Sequence, residues 1–420
     1  SHSVFEGNYV TGKNSGGGAI AIMDGGRLQL EKVTFKNNNA VNSAEGGALY
    51  ASNAYDGIKG ERLLLDIKGT VFMSNRASSS QGGAMSVLET DVKLTRCLYE
   101  LSEAEKGGAM FLLRSSLFGQ EVSIVNNVAL DGGVVYAGGS TVEFLHSNFT
   151  QNVADTSDGG ALAVVFSEIT LKHVKFNDNK AANGNGGAIS LGMESSFSLE
   201  SSVLENNMAK VGSGGGIYAL DVKRVEIKNT NISSCVALLG GGMSISKSAS
   251  PAIVDTYFTG CEATGDVGGG GINIFDCNQI EMTCVMFVEN KALKGGGGSV
   301  LWDYSKETMS STTLQSPLIF SACNDDMETI DHFSSNQALY GNDVASGPYA
   351  LVQSSGSCKE SEPKFVSSDS VFGSEKSFQA TQNEEDGGKI LGARYANKHY
   401  PAFTFLDYYG NIVLKYGGFQ

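Results

Sequence analysis

Proline, tryptophan and basic residues are all scarce in this 420-residue chain. It has 5 Pro and 1 Trp, and its 30 Lys and Arg are outnumbered by 45 Asp and Glu, which gives a formal net charge of −15. So few prolines exclude collagen and proline-rich linkers. Because no Lys or Arg cluster interrupts the acidic charge, the chain repels phosphate backbones, and we expect no nucleic-acid partner.

Long apolar runs are also missing. No stretch approaches the roughly 20 apolar residues that a membrane-spanning helix needs, so we expect no membrane insertion by this segment. The chain opens on Ser1-His2-Ser3-Val4-Phe5, with neither an initiator Met nor a signal peptide. Because Phe5 already belongs to a repeat described below, we expect the sequence to be a processed or partial piece of a longer chain.

Glycine, by contrast, is abundant and periodic. A Gly-Gly-small-aliphatic element occurs eleven times, at spacings of 25 to 29 residues with one exception of 36. Self-similarity at such a period is typical of solenoid proteins. The elements begin at Gly17, Gly46, Gly82, Gly107, Gly132, Gly159, Gly186, Gly214, Gly240, Gly269 and Gly297.

A second element, Phe-x-x-Asn-x-Ala, precedes most of the Gly-Gly elements. Phe5 with Asn8 starts the array, and Phe333 with Asn336 ends it. In the fourth turn, where the element is degraded, we place Leu98 at the Phe position. Other full copies begin at Phe35, Phe72, Phe149, Phe176 and Phe287, and degraded copies pair Ile124 with Asn127, Leu204 with Asn207, Ile232 with Cys235, and Phe258 with Cys261.

The alternation of side chains within each repeat predicts β-strands. A large aliphatic residue follows each small one, as at Ile20, Leu49 and Met85, and another apolar residue usually comes two positions later. A period of two places these side chains on one inward face. A further alternating run before each Phe, such as Leu28-x-Leu30, supplies another strand per repeat.

These features predict an all-β fold, a right-handed parallel β-helix of about twelve turns over residues 1–345. A turn of this size cannot bury its apolar face alone, but stacked turns can. The stack would be roughly 55 to 60 Å long at about 4.8 Å per turn. We expect Asn to hydrogen-bond up and down the stack at one corner, and Gly-Gly to permit the backbone geometry of another. The glycines and the period of two argue against an all-helical solenoid.

The alternating Gly-Gly-Ala-Ile and Phe-x-x-Asn blocks resemble the repeats of the chlamydial polymorphic outer-membrane proteins, which are surface-exposed β-helical adhesins. Similar repeats occur in large extracellular proteins of protists and algae, and the stretch from Asn336 to Ser346 is similar to the way those arrays close. The resemblance covers about residues 1–345. It implies a β-helical rod at the cell surface or in the extracellular space.

Two insertions and a tail depart from the repeat. The insertions run from Tyr55 to Thr70 and from Asp303 to His332, and the second carries Asp325 and Asp326. We interpret residues 346–386 as a cap or linker. Residues 387–420 contain Phe403-Thr-Phe-Leu and Ile412-Val-Leu, which we read as strands of a β-hairpin. This segment resembles the start of an immunoglobulin-like sandwich, so it either caps the helix or begins a further module.

The seven cysteines suggest three disulfides. Cys235 and Cys261 share one corner of successive turns, which places their Cα atoms about 5 Å apart, within disulfide range. Cys277 with Cys284 and Cys323 with Cys358 are the other candidates, which leaves Cys97 free. The alternative is that all seven are reduced and buried, but the shared register favours an oxidising compartment.

Two sequons, Asn148-Phe-Thr and Asn231-Ile-Ser, are candidates for N-linked glycosylation. Each Asn comes directly before an inward residue, so the alternation of the strand points both outward. If the source is eukaryotic, we expect glycans at both asparagines.

Catalytic clusters are hard to find. Polysaccharide lyases and hydrolases of this fold gather carboxylates and a base at one height of the rod. Here acidic residues are dispersed, and the tight groups, Asp325-Asp326 and Glu384-Glu385-Asp386, are best explained as solvated loops. His146 and His173 hold equivalent places in adjacent turns, and we expect an exposed pair rather than a metal site. We therefore predict no enzyme, cofactor or metal site.

The outward position of the Gly-Gly strand carries occasional aromatic residues, Tyr50, Phe111, Tyr136 and Tyr218, among small ones. Such a face suits lateral packing against another rod, a flanking module or a glycan. The sequence thus favours an extracellular structural protein, a rod module of a cell-surface or filament assembly whose partners are other copies or other extracellular proteins. The alternatives are an adhesin that binds glycans or cells through the insertions and, less favoured, a β-helical polysaccharide lyase or hydrolase.

Overall fold

The structure is a computed structural model, and it describes residues 2–12, 15–23, 26–53, 62–248, 251–277, 279–303, 318–321, 333–346, 350–354, 364–366 and 402–406. Three parallel sheets, A, B and C, contain the strands from Ser3 to Ser346. Each turn contributes two strands to sheet A, then one to sheet B and one to sheet C. No described residue is helical, and the predicted parallel β-helix is confirmed.

Sheet A has 21 strands, because most turns contribute two and the strands Ala252–Thr259 and Ile280–Val288 each span both places. The first strands of the other turns are Arg27–Glu31, Leu64–Lys68, Asp91–Thr95, Ser116–Gln120, Thr141–Leu145, Glu168–Lys172, Ser196–Glu200, Arg224–Lys228 and Leu318–Ser321. The second strands are Ser3–Glu6, Val33–Lys36, Val71–Met73, Leu98–Glu100, Ser123–Val125, Asn148–Thr150, Lys175–Asn177, Val203–Glu205, Asn231–Ser233 and Phe333–Ser334.

Sheets B and C contain 11 and 12 strands. Sheet B consists of Tyr9–Thr11, Asn39–Val41, Arg76–Gln81, Glu103–Lys106, Val128–Ala129, Val153–Ala154, Lys180–Ala181, Met208–Ala209, Val236–Ala237, Glu262–Ala263 and Lys291–Ala292. Sheet C, which follows the Gly-Gly elements, consists of Ile20–Met23, Leu49–Ser52, Met85–Leu88, Met110–Leu113, Val135–Gly138, Leu162–Val165, Ile189–Gly192, Ile217–Leu220, Met243–Ser246, Ile272–Phe275, Val300–Asp303 and Val344–Ser346.

Aromatic rings stack along the core at the Phe position of sheet A. The ring centroids of Phe35 and Phe72 are 4.9 Å apart, and those of Phe149 and Phe176 are 4.6 Å apart, with nearly parallel planes. All four side chains are fully buried. In-register parallel strands bring equivalent side chains to this spacing, so the repeat of Phe in the sequence becomes a column in the structure.

The register that we predicted for the fourth turn is wrong by one residue. Tyr99, not Leu98, pairs with Phe72 and lies fully buried in the aromatic column. Leu101, three residues after Leu98, is 54% exposed, and Ser102 takes the place of the corner Asn. A shift of one residue exchanges the two faces of a strand, and with neither Phe nor Asn in this turn the sequence did not fix the register.

The two glycines of the Gly-Gly element meet different structural requirements. The first adopts a positive φ in all eleven copies, between 60° and 75°. The second lies against the next turn: a Cβ on Gly187 would stand 2.2 Å from the carbonyl oxygen of Gly215. The predicted glycine corner is thus confirmed, and the close approach of backbones explains why two glycines are needed.

The predicted asparagine ladder is also confirmed. The Oδ1 atom of Asn152 accepts hydrogen bonds from the backbone N–H of Asn127 at 3.1 Å and from its Nδ2 at 3.2 Å. The Nδ2 of Asn152 donates to the carbonyl of Ile124 at 2.8 Å. This pattern recurs at most turns, and it satisfies backbone groups that the corner would otherwise bury without partners.

The second insertion contributes to the stack. Leu318–Ser321 pairs with the first part of Ile280–Val288 in sheet A, whereas residues 304–317 and 322–332 lie outside the described part. In the tail, Ala350–Ser354 pairs antiparallel with Lys364–Val366 and with Ala402–Leu406. The strand expected at Phe403–Leu406 is confirmed, but Ile412 to Leu414, its expected hairpin partner, is not among the described residues. The domain bounds remain predictions.

Candidate interaction faces

The aromatic residues of sheet C form part of one outward column. Tyr50 pairs with Ser86, which pairs with Phe111, and Phe111 pairs with Tyr136. The rings of Phe111 and Tyr136 stack at 5.2 Å. However, Phe111 is only 4% exposed, and Tyr50, Tyr136 and Tyr218 are half-buried. The four residues hold the outward position as predicted, but Phe111 is covered and the tyrosines are partly covered, and lateral packing through them stays a prediction.

The chain that leads into each Gly-Gly element covers this column. The Ser86 hydroxyl donates to the Oε2 atom of Glu45 at 2.8 Å, and a Cβ on Gly16 would stand 2.3 Å from Cγ of Tyr50. Burial raises the pKa of Glu45, although the Ser86 hydrogen bond opposes this, and burial also raises the pKa of Tyr50. Gly16 and Glu45 each come directly before the first glycine of an element. The residue type at that position was the only sequence feature that could have indicated this covering.

A polar ladder continues the covering near Tyr218. The backbone N–H of Asn185 donates to Oδ1 of Asp158 at 2.7 Å, and the backbone N–H of Ser213 donates to Oδ1 of Asn185 at 2.8 Å. Burial raises the pKa of Tyr218, and the charge of Asp158 adds to the shift. Sequence reasoning missed this ladder because its members differ in type from turn to turn.

Cys235 and Cys261 occupy the predicted corner, but they are free, buried thiols, so the bridge proposed between them is not formed. Side chains on stacked parallel strands run side by side about 4.8 Å apart, whereas a disulfide needs Cβ atoms about 3.8 Å apart. Each Sγ instead approaches a backbone carbonyl, that of Ser233 at 3.4 Å and that of Ile232 at 3.5 Å.

The predicted bridge between Cys277 and Cys284 is wrong. Cys277 is a free thiol, 1% exposed, and burial raises its pKa to about 11. Cys284 lies on an outer corner with a φ of 53° and is disulfide-bonded. The two side chains therefore point to different sides of the turn. Cys97 is a free, buried thiol as predicted, and Cys323 and Cys358 lie outside the described residues.

Both sequon asparagines are exposed, while Phe149 and Ile232, which follow them, are fully buried. They share one column of sheet A, since Asn148 pairs with Lys175, Lys175 with Val203, and Val203 with Asn231. Glycans at the two sites would therefore project from one face, three turns apart. Glycosylation itself stays a prediction.

Some ionisable groups on the described faces pair across neighbouring turns. Arg76 contacts Glu103 at 2.8 Å, and Lys175 contacts Glu205 at 3.3 Å. The His146 and His173 rings stack at 4.7 Å and are exposed, as expected. Among the described residues, no three His, Cys, Asp or Glu side chains are grouped to hold a metal ion. The carboxylate groups at 325–326 and 384–386 lie outside the described part.

Comparison with known proteins agrees with the fold and the repeats. The family model "Right handed beta helix region" matches residues 120–280, and the model "Chlamydia polymorphic membrane protein (Chlamydia_PMP) repeat" matches residues 32–52. The chain carries β-helix repeats of the Chlamydia polymorphic membrane protein type. No solved structure matches it significantly.

A curated protein similar to this repeat chain is "Probable autotransporter YfaL" of Escherichia coli (strain K12). The two are 31% identical over 102 residues, which are 24% of this chain and 8% of that protein. These likenesses mark the chain as an outer-membrane or extracellular surface protein. Its described residues form no helix that is long and apolar enough to cross a membrane.

Proposed function

We propose that the chain is a structural rod module of a larger cell-surface or filament-forming assembly, and that it acts by lateral packing rather than by catalysis. The observation that carries the proposal is the register of sheet C, whose strands pair in sequence from Ile20 to Ser346. Because each turn buries its apolar face against the next, the stack is a stiff scaffold that can present long faces to partners.

The distribution of charge supports a non-catalytic role. β-Helical enzymes gather several carboxylates without basic partners at one height, so that some can bind a cation or exchange protons. In the described part, several acidic side chains pair with basic ones in the same or adjacent turns, and no three His, Cys, Asp or Glu side chains are grouped at one place. Even Asp66, which is 7% exposed, lies 3.2 Å from Nζ of Lys68 and 3.5 Å from Nη2 of Arg27.

Electron microscopy of the native surface, with antibodies against the rod, tests this function. We expect the label on extended assemblies, and we expect crosslinking of intact cells to join the chain to copies of itself or to other surface proteins. A chain that stays monomeric and dispersed on the native surface would contradict the proposal. Release of sugar products from acidic polysaccharide with Ca²⁺ would favour the lyase instead.

An adhesive role through the second insertion is the other candidate. The pairing of Leu318–Ser321 with sheet A supports it, because this strand fixes the middle of the insertion to the rod. Replacing residues 304–317 with a short Gly-Ser linker should abolish binding to cells or glycans if the insertion is adhesive. If lateral packing is the function, the same variant should keep its assemblies.

A further inference from the structure

The outward column of sheet B contains four successive residues whose exposed apolar groups and charges have no partner within the described chain. Lys180 pairs with Met208, Met208 with Val236, and Val236 with Glu262, so the four side chains follow one another along the rod. We call these four residues the sheet B strip. Since neighbouring strands are about 4.8 Å apart, the strip is about 14 Å long.

The centre of the sheet B strip is apolar and open. Met208 is 37% exposed and Val236 is partly exposed. Two apolar residues that follow these strands in the chain, Val211 and Leu238, are 49% and 37% exposed. A cluster of exposed apolar side chains between polar ones is typical of a protein interface.

The two ends of the sheet B strip carry opposite charges. Lys180 and Glu262 are partly exposed, and neither forms an ion pair with another residue of the described chain. Elsewhere in the same column, opposite charges on adjacent strands do meet, as Arg76 and Glu103 do at 2.8 Å. Lys180 and Glu262 cannot meet each other, because Met208 and Val236 separate them, and Glu262 forms no ion pair with Lys291, its neighbour on the next strand.

We propose that a second copy of this chain covers the sheet B strip in a two-fold, antiparallel arrangement. A two-fold axis that passes between Met208 and Val236, perpendicular to the rod, reverses the order of the column in the second copy. Met208 of one copy then faces Val236 of the other, and Lys180 faces Glu262, twice by symmetry. The apolar centre becomes buried, and both charges gain partners.

The neighbouring column does not oppose this arrangement. Asp178 and Asn206 hold the left-handed corner positions beside Lys180 and Met208, and Ser234 and Gly260 hold those beside Val236 and Glu262. The same axis places Asp178 opposite Gly260 and Asn206 opposite Ser234. No like charges face each other there, and like charges at an interface would cost several kcal/mol.

This inference rests on the proposed function and deepens it, because it names the surface and the partner of lateral packing. The arrangement is also consistent with the surfaces of sheets A and C. The aromatic column of sheet C is covered by its own chain, and the sequons Asn148 and Asn231 lie on sheet A. The sheet B strip is outside both.

Charge reversal with sedimentation equilibrium of the purified chain tests the arrangement. Lys180→Glu and Glu262→Lys should each weaken self-association about tenfold, because each creates two like-charge contacts in the dimer. An equimolar mixture of the two single variants should associate as heterodimers, since all contacts between them are then attractive. The double variant K180E/E262K should associate like the wild type. Lys175→Glu, the same charge change on sheet A, should leave association unchanged.

The outcomes separate this surface from the wider function. If the wild type associates but the single variants associate equally well, the sheet B strip is the wrong surface and lateral packing stands. If the purified chain is monomeric although labelled assemblies are seen on the native surface, the partner is another protein, and the second copy is wrong. If neither association nor native assemblies are found, the proposed function fails as well.

Discussion

At the scale of single residues, glycine shapes one corner by two separate effects. The first glycine of each element supplies a positive φ, but other corners of the same rod place Asn206 and Ser234 at φ values of 56° and 51°. A positive φ alone is therefore tolerated by polar side chains here, as is common for Asn. Both glycines also exclude a Cβ by contact: on Gly186 it would stand 2.2 Å from the Ile189 carbonyl oxygen of the same turn, and on Gly187 it would stand 2.2 Å from the Gly215 carbonyl oxygen of the next turn.

Substitution of the second glycine should consequently be severe. Gly187→Ala would place a methyl group 2.2 Å from the Gly215 carbonyl oxygen, so adjacent turns would have to separate. We expect a large fall in the denaturation midpoint, or failure to fold, measured by circular dichroism in urea. Gly260→Asn is the matched control, since the corner has a φ of 61° and a Cβ would meet only Oγ of Ser234, at 3.9 Å. A mild effect of Gly187→Ala would mean that the turns can move apart.

The corner asparagines should contribute through their hydrogen bonds. Asn152→Ala removes the acceptor of the Asn127 N–H and the donor to Ile124, and it leaves buried groups without partners. Each such group costs about 1 to 3 kcal/mol, so we expect a loss of about 2 to 4 kcal/mol of unfolding free energy. Asn126→Ala, at the neighbouring outward corner, should cost much less. Equal losses at the two positions would show that the ladder adds little.

At the scale of elements, the ladder has a gap. Cys235 and Cys261 replace Asn in two successive turns. Toward the next turn, Nδ2 of Asn207 finds only the Sγ of Cys235, at 3.9 Å, although it also donates to the Phe176 carbonyl at 3.1 Å. The next regular contact is that of the Cys261 N–H with Oδ1 of Asn290 at 3.0 Å. A thiol is a weak donor and acceptor, so this corner is held less firmly than its neighbours.

Filling the gap should stabilise the rod. In the double variant C235N/C261N, Asn207 and both new residues could continue the pattern of the other turns, so we expect a higher midpoint in thermal denaturation. C235S/C261S is the control, because Ser102 shows that a hydroxyl fits this corner without extending the amide ladder. A midpoint below that of the control would indicate that the two turns are packed for sulfur.

The repeat made some elements predictable and left others hidden. Aliphatic positions such as Leu49 and Met85 recur in every turn, so eleven copies fix their inward direction together. Tyr99 was misplaced because its turn retains neither Phe nor Asn. Glu45 and Asn185, which cover sheet C, escaped notice because their contacts depend on the path of the chain between strands and not on a recurring residue type.

Two of the three disulfide predictions failed for a related reason. Spacing in the repeat placed Cys235 and Cys261 correctly at one corner, but spacing along the chain carries no information on the direction and separation of their Cβ atoms. Cys277 and Cys284 are close in the chain, but this does not show that the Cys277 side chain points into the core while Cys284 lies on an outer corner. Register is readable from repeats, whereas side-chain pairing also requires the geometry of the strands.

At the scale of the whole molecule, the three sheets have different capacities for contact. Sheet C is largely covered by its own chain, and sheet A presents both sequons in one column. A rod decorated with glycans on sheet A could still pack through sheet B, because the sheets face different directions. The distribution of sequons is thus compatible with lateral assembly.

Moving a glycan to sheet B should therefore block assembly. The variant V236N/L238T creates the sequon Asn-Ala-Thr within the sheet B strip, and secretion from a eukaryotic host would add a bulky glycan there. We expect this product to sediment as a monomer. The wild type from the same host should associate whether or not Asn148 and Asn231 carry glycans, as N148Q/N231Q would verify.

The substitutions themselves must be separated from the glycan. The same V236N/L238T protein made in a bacterial host that does not glycosylate should associate more strongly than its glycosylated form, because it retains Lys180 and Glu262 at the ends of the strip. If the glycosylated variant associates as well as the wild type, sheet B lies outside the contact. If N148Q/N231Q is the form that changes association, the contact lies on sheet A, and the rods pack through the face that the sequons occupy.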